Sequence, residues 1–198
     1  MRQLLLKLCL FFLFISCGEN ADVNSKEVFS FKLSAADNLQ FDFSLLKNNK
    51  ASVFIFLAPD CPLSQNYTLT LNNLQEHFKK NNILFYGIIP GNNFNKNEVN
   101  DFVNKYKINF RVLLDPDFNL AAYFNASKTP EVFVVNAEQK TLYKGAIDNW
   151  ASDLGVHRSV VSEHYLLDAL DNIIENAEVK IRETKSVGCF IERKRKGL

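Results

Sequence analysis

One unbroken apolar run constrains this chain more than any other feature. Residues Ser52-Val53-Phe54-Ile55-Phe56-Leu57 are almost wholly hydrophobic and rich in β-branched and aromatic side chains. A strand with no polar alternation has both faces covered, so it belongs in the middle of a sheet with layers on either side. The run stops at Ala58-Pro59-Asp60. Cys61-Pro62 follows, and then Leu63, Tyr67, Leu71, Leu74 and Phe78 recur at spacings of four, four, three and four. That is one apolar stripe of a helix. The strand–turn–helix unit places Cys61 at a helix N-terminus.

The same reading extends along the chain. Val28–Leu33 and Leu39–Phe43 alternate around an Ala-Asp-Asn turn and read as a leading hairpin. Ile83–Ile89 is a second buried strand, Glu98–Tyr106 a second helix, and Arg111–Leu114 a short strand stopped by Asp115-Pro116-Asp117. Leu120–Phe124 is a helical turn. Glu131–Val135 and Thr141–Gly145 flank polar residues and read as an antiparallel hairpin. Leu166, Leu167, Leu170, Ile173 and Ile174 mark a last amphipathic helix. Alternating β and α elements followed by a hairpin predict an α/β domain with a mixed sheet and helices on both faces. No internal repeat or long linker interrupts it.

The N-terminus stands apart. Arg2 and Lys7 precede an apolar segment, Leu8–Ile15, that is too short to span a bilayer. Ser16-Cys17-Gly18 then resembles a bacterial lipobox, which implies cleavage before Cys17 and lipid attachment to its sulfur. The expected organisation is a lipoprotein signal peptide over 1–16, a polar tether over 17–27, a domain over 28–178 and a C-terminal extension over 179–198. The mature protein is expected outside the cytoplasm, in the cell envelope, held to a membrane by its lipid anchor. A net charge of +1 gives no electrostatic argument for nucleic acid, and the basic run Arg193–Lys196 reads as a solvated tail. Of the four cysteines, Cys9 leaves with the signal and Cys17 carries lipid. Cys61 and Cys189 remain, and outside the cytoplasm two thiols can form one disulfide.

Cys61 is the chemical centre. Helix-terminal N–H groups and the positive end of the macrodipole favour a thiolate. Asp60 either opposes that charge or caps the helix. Phe56-Leu57-Ala58-Pro59-Asp60-Cys61-Pro62-Leu63-Ser64, Leu113-Leu114-Asp115-Pro116-Asp117, Thr129-Pro130-Glu131-Val132-Phe133-Val134 and Tyr143-Lys144-Gly145-Ala146-Ile147-Asp148 occur in an order that resembles the thioredoxin-like superfamily. The closest resemblance is to its redoxin, AhpC/TSA-like branch. The run Thr184-Lys185-Ser186-Val187-Gly188-Cys189 resembles a C-terminal feature of some exported redoxin-like proteins. The resemblance implies that Pro130 is a cis-proline facing the thiol, that Thr129 lines the site, and that the loop pairs with the backbone of a bound peptide. Pro62, Ser64, Thr129 and Pro130 are the expected substrate-binding residues.

The departures from that pattern matter as much. Position 64 holds Ser where a dithiol oxidoreductase has its second Cys, so local resolution of a mixed disulfide is excluded. Ser64 is expected to donate a hydrogen bond to the thiolate. A mobile tail carrying Cys189 is the remaining source of a resolving thiol. The chain therefore reads as an enzyme, a thiol–disulfide oxidoreductase with Cys61 as nucleophile and Cys189 as its redox partner. Its expected partners are a protein or small-molecule thiol or disulfide and an external thiol reductant, with no cofactor and no metal. Three alternatives stand beside it. One is a non-catalytic binding module with a structural Cys61–Cys189 bridge. Another is a thiol peroxidase, although Phe54 and Ala58 replace the Pro and Thr of a Pro-x-x-x-Thr-x-x-Cys pattern and only Arg111 and Arg158 offer a cation. The last is a copper-handling protein using Cys61 with His157 or His164.

Overall fold

A computed structural model describes residues 32–192. Strand β1 (Leu33–Ala35) and β2 (Gln40–Phe41) form the leading hairpin, with Leu33 opposite Phe41. Of the first strand read from the alternation, Val28–Phe31 lie outside the described residues, and the observed strand runs on to Ala35. A 3-10 helix (Phe43–Asn48), capped by the Asp42 carboxylate at the Ser44 N–H, leads into β3 (Ala51–Phe56). Helix α1 (Pro62–Phe78), β4 (Ile83–Pro90), α2 (Lys96–Lys105) and β5 (Arg111–Asp115) follow. Next come the short α3 (Asn119–Tyr123), β6 (Lys128–Thr129), β7 (Glu131–Asn136) and β8 (Thr141–Gly145). A small hairpin of β9 (Ala151–Asp153) and β10 (Val156–His157) precedes α4 (Tyr165–Ile174), and β11 (Cys189–Phe190) comes last.

Among the described residues the main sheet has seven strands in the order β2-β1-β5-β4-β3-β7-β8. β3, β4 and β5 are parallel, while β1, β7 and β8 join antiparallel. The mixed sheet read from the sequence is the one observed, with β3 near its centre and all six of its residues buried. Alternate side chains of β3 feed two cores. Val53 and Ile55 pack with Tyr67, Leu71 and Phe78 of α1, Val99 and Phe102 of α2, and Leu166, Leu170 and Ile173 of α4. Phe54 and Phe56 pack on the other face with Phe41, Phe43, Leu46, Leu120, Phe124 and Phe133. Full burial of each such side chain contributes about 1.5–3 kcal/mol. Three helices cover the first face. The second is covered by a one-turn helix, the 3-10 segment and stacked rings such as Phe124 on Phe133, at 4.8 Å between centroids.

Among the described residues no helix is long and apolar enough to cross a membrane. The segments read as signal peptide and tether, Cys17 and the Arg193–Lys196 run lie outside the described residues.

Candidate active site

The site forms where β3 gives way to α1. Ala58-Pro59-Asp60 cannot continue the strand because Pro59 has no N–H to donate. The turn is closed by the Cys61 N–H donating to the Ala58 carbonyl (3.1 Å) and by the Ala58 N–H donating to Ser64 Oγ (3.2 Å). Gln65 fixes it further, donating from Nε2 to the Pro59 carbonyl at 2.7 Å. Cys61, not Asp60, is the N-cap residue, and its side chain makes no cap hydrogen bond. Pro62 at the first helical position agrees with this, since its fixed φ and missing N–H suit that position. The helix thus begins with a thiol at its electropositive end, and Pro62 stands exposed on the first turn.

The second wall of the site is the loop before β7. The Thr129–Pro130 bond is cis, as the resemblance implies. Thr129 is buried, and its carbonyl accepts the Cys61 S–H at 3.0 Å. The Thr129 hydroxyl is buried with no hydrogen-bond partner in this arrangement, yet its position lets it donate to a Cys61 thiolate and so lower the thiol's pKa.

The third wall is the C-terminal segment. β11 pairs antiparallel with β6, setting Cys189 opposite Thr129 and Phe190 opposite Lys128. The expected mobile tail is instead a docked strand. Its two residues are too few to show periodicity, which is why the sequence reads as featureless there. Both cysteines are free thiols. Burial, the largest influence on Cys61, pushes its pKa up. Donors from the Cys189 thiol, the Ser64 N–H, the Cys189 N–H and the Thr129 hydroxyl together outweigh it and hold Cys61 below the ordinary thiol value. Cys189 is pushed up to about 12, by burial first and then by the Cys61 sulfur and the Asp60 carboxylate. The pair therefore loses its first proton from Cys61.

Several expectations are corrected by this geometry. The Ser64 backbone N–H lowers the Cys61 pKa, and its hydroxyl oxygen accepts from the Ala58 N–H. Asp60 is exposed and bears on Cys189 rather than capping α1. Arg111 is held by Asp37 at 3.2 Å and lies over the Phe41 ring. His157 stacks on Trp150 at 5.0 Å, and His164 is the N-cap residue of α4. Among the described residues no group of three or more His, Cys, Asp or Glu side chains could hold a metal ion. Asp148 is a structural anchor, accepting from the Tyr67 hydroxyl at 2.5 Å and the Trp150 N–H at 2.8 Å.

Two residues of the site escaped the sequence reading. Gly188 lies so close to Thr129 that a Cβ there would sit 2.3 Å from its carbonyl oxygen. Lys128 donates from Nζ to the Ser186 carbonyl at 3.0 Å. A glycine directly before the cysteine is the one local signal that could have marked a close backbone approach.

Solved structures place this architecture. An uncharacterized conserved protein from Geobacillus kaustophilus superposes with a TM-score of 0.75 at 21% identity, over 84% of this chain and 90% of its own. A hypothetical protein from Sinorhizobium meliloti gives 0.73 at 21%, over 81% and 89%. A secreted Mycobacterium tuberculosis disulfide oxidoreductase, homologous to DsbE of E. coli, gives 0.54 at 19%, over 76% and 98%. The fold is thioredoxin-like. No curated protein matches the chain. The AhpC/TSA family matches residues 25–144, more than half of the sequence, and the chain belongs to that family.

Proposed function

We propose that the protein is a thiol–disulfide oxidoreductase in which Cys61 is the nucleophile and Cys189 the resolving thiol. The observation that carries this reading is that Cys189 pairs with Thr129, whose carbonyl accepts the Cys61 S–H at 3.0 Å, so that both thiols meet at one residue. The Cys61 thiolate attacks one sulfur of a substrate disulfide, and the other sulfur leaves as a thiolate. Cys189 then attacks Cys61 Sγ. Its proton passes to the second substrate sulfur, which leaves as a thiol. The substrate disulfide gains two electrons and becomes one thiolate, which takes its proton from water, and one thiol, and the protein is left with a Cys61–Cys189 disulfide. An external dithiol of the cell envelope returns it to the reduced state. Cys17, as a lipidated residue, would keep this exchange at a membrane surface, and Thr129, Pro130, Pro62 and Ser64 surround the Cys61 thiol.

Family membership and the likeness to a secreted disulfide oxidoreductase support the redox class. Peroxide reduction has less support, because Ala58 and Phe54 stand where that chemistry expects Thr and Pro. The test is a set of substitutions on the full chain. Cys189→Ser should accumulate mixed disulfides on Cys61 in cells, and Cys61→Ser should accumulate none. Oxidation of the native chain should yield a Cys61–Cys189 bridge in non-reducing peptide maps. A bridge that forms but resists every thiol reductant, with no trapped partner, would make the pair a structural staple instead.

A further inference from the structure

The C-terminal strand does more than present a sulfur. Thr129 and Lys128 are the backbone edge beside Cys61 on which an extended polypeptide could add as a strand. That edge is already filled by the protein itself. Cys189 and Phe190 pair with it, and the Ile191 N–H donates to the Ser127 carbonyl at 2.9 Å. Gly188 sits against the Thr129 carbonyl with no space for a side chain. The segment is latched upstream as well. The Thr184 N–H donates to the Lys144 carbonyl at 3.0 Å, and Thr184 Oγ1 accepts from the Ala146 N–H at 2.9 Å. Gly145 is required there, since a Cβ would lie 2.3 Å from the Thr184 carbonyl oxygen.

What remains open is a cleft of about 440 Å³ between the loop after β4 and the tail. It is lined by Asn93 and Phe94 on one side and Phe190 and Glu192 on the other, and it reaches Thr129 and Cys189. Both residues touch the Cys61 sulfur, which is itself 1% exposed. The cleft falls within the size range of small-molecule pockets, about 300–1,000 Å³. Cys61 does not itself line the cleft, so a molecule seated there meets Thr129 and Cys189 first. The Asp60 and Glu192 carboxylates at the cleft disfavour an anionic guest.

We infer that residues 186–191 are a built-in strand that excludes extended polypeptides, so that Cys61 takes its disulfide from a small neutral or cationic molecule entering through this cleft. The inference rests on Cys61 acting as the nucleophile by the exchange written above.

The experiment uses the reduced full chain and follows Cys61 by peptide mass mapping. Bis(2-hydroxyethyl) disulfide and insulin serve as the small and polypeptide disulfides, and iodoacetamide and a polyethylene-glycol maleimide as small and large alkylating agents. Wild type should favour the small member of each pair. Gly188→Ala, which crowds the tail off Thr129, should narrow both preferences about tenfold. Lys128→Met, which removes the bond to the Ser186 carbonyl, should narrow them less and in the same direction. Equal reaction with insulin and the small disulfide in wild type, or preferences that neither variant changes, overturns the inference. The alkylation arm needs no exchange activity. Size-selective alkylation with no reaction toward either disulfide would therefore sink the exchange reading itself, and with it the substrate class assigned here.

Discussion

The Cys61 sulfur lies 3.0 Å from the Thr129 carbonyl, to which its S–H donates, while the hydroxyl of the same Thr129 has no hydrogen-bond partner and is placed to lower the thiol's pKa. One residue thus serves the thiol through its backbone and the thiolate through its side chain. Thr129→Val keeps the shape and removes the second service. Its stability should hold or rise by about 1 kcal/mol, because a buried unpaired hydroxyl is lost. Alkylation of Cys61 at neutral pH should slow. Urea unfolding and a rate measurement check the two halves. Loss of stability with unchanged reactivity would give the hydroxyl a structural role instead.

The two thiols should separate along the pH axis. Cys61 is depressed, so its alkylation should reach half its maximum on the acid side of the ordinary thiol value, roughly 8.5. Cys189, raised to about 12, should stay silent until strongly alkaline pH. The linked stabilities have opposite signs. The Cys61 contribution is present above the unfolded thiol pKa and is lost as pH falls through the folded one. The Cys189 contribution is complete below the unfolded value and is lost as pH rises toward about 12. Cys189→Ala deletes one donor to Cys61 and should move the Cys61 profile to higher pH. A profile that does not move would remove the thiol contact from the account.

Tyr67 on α1 ties the loop after β8 to the helix through its 2.5 Å bond to Asp148. Both residues are buried, and the Trp150 ring meets Tyr67 edge-on at 5.4 Å. Tyr67→Phe leaves Asp148 short of a donor and should cost about 1.5–3 kcal/mol, as expected for a hydrogen bond to a charged group. Cys61 reactivity should not change. Chemical denaturation and alkylation together read the outcome, and a slowed thiol would extend the site to this pair.

Asp115 ends β5 fully buried, with Oδ2 accepting from the Ala121 N–H at 2.9 Å and Oδ1 unpaired. Burial, its largest influence, raises its pKa above the ordinary carboxylate value. Its share of stability is therefore complete below the unfolded pKa of roughly 3.9 and falls as pH rises through the folded value. Asp115→Asn cannot ionise and should flatten that part of the stability–pH curve, with a gain on the order of 1 kcal/mol at neutral pH. A variant whose curve keeps the wild-type slope would place the titration elsewhere.

The legible parts of this protein are those with a period. The unbroken run of β3 and the Leu63–Phe78 stripe have enough residues to announce a central strand and a packed helix, and both stand where they are read. The site was legible at Cys61 and Thr129-Pro130 because turns and prolines leave local marks. Its third wall was not. β6 and β11 have two residues each, and their partners are remote in sequence. What joins them is backbone pairing, to which side-chain identity contributes little beyond the absence of a Cβ at Gly188. The Asp60 capping assignment failed for a related reason: Pro62 suits the first position of α1 by backbone geometry, which outranks a side-chain preference.

The pairing of Cys189 with Thr129 also governs competition. Joining Cys61 to a thiol so distant in sequence would carry a large loop-closure entropy in a floppy chain, but the folded backbone has already closed that loop. A sulfur held in this way presents itself to any adduct on Cys61 at an effective concentration that dissolved thiols do not match. On the proposed exchange, the lifetime of such an adduct follows the removal of the Cys189 proton more than the thiol content of the surroundings.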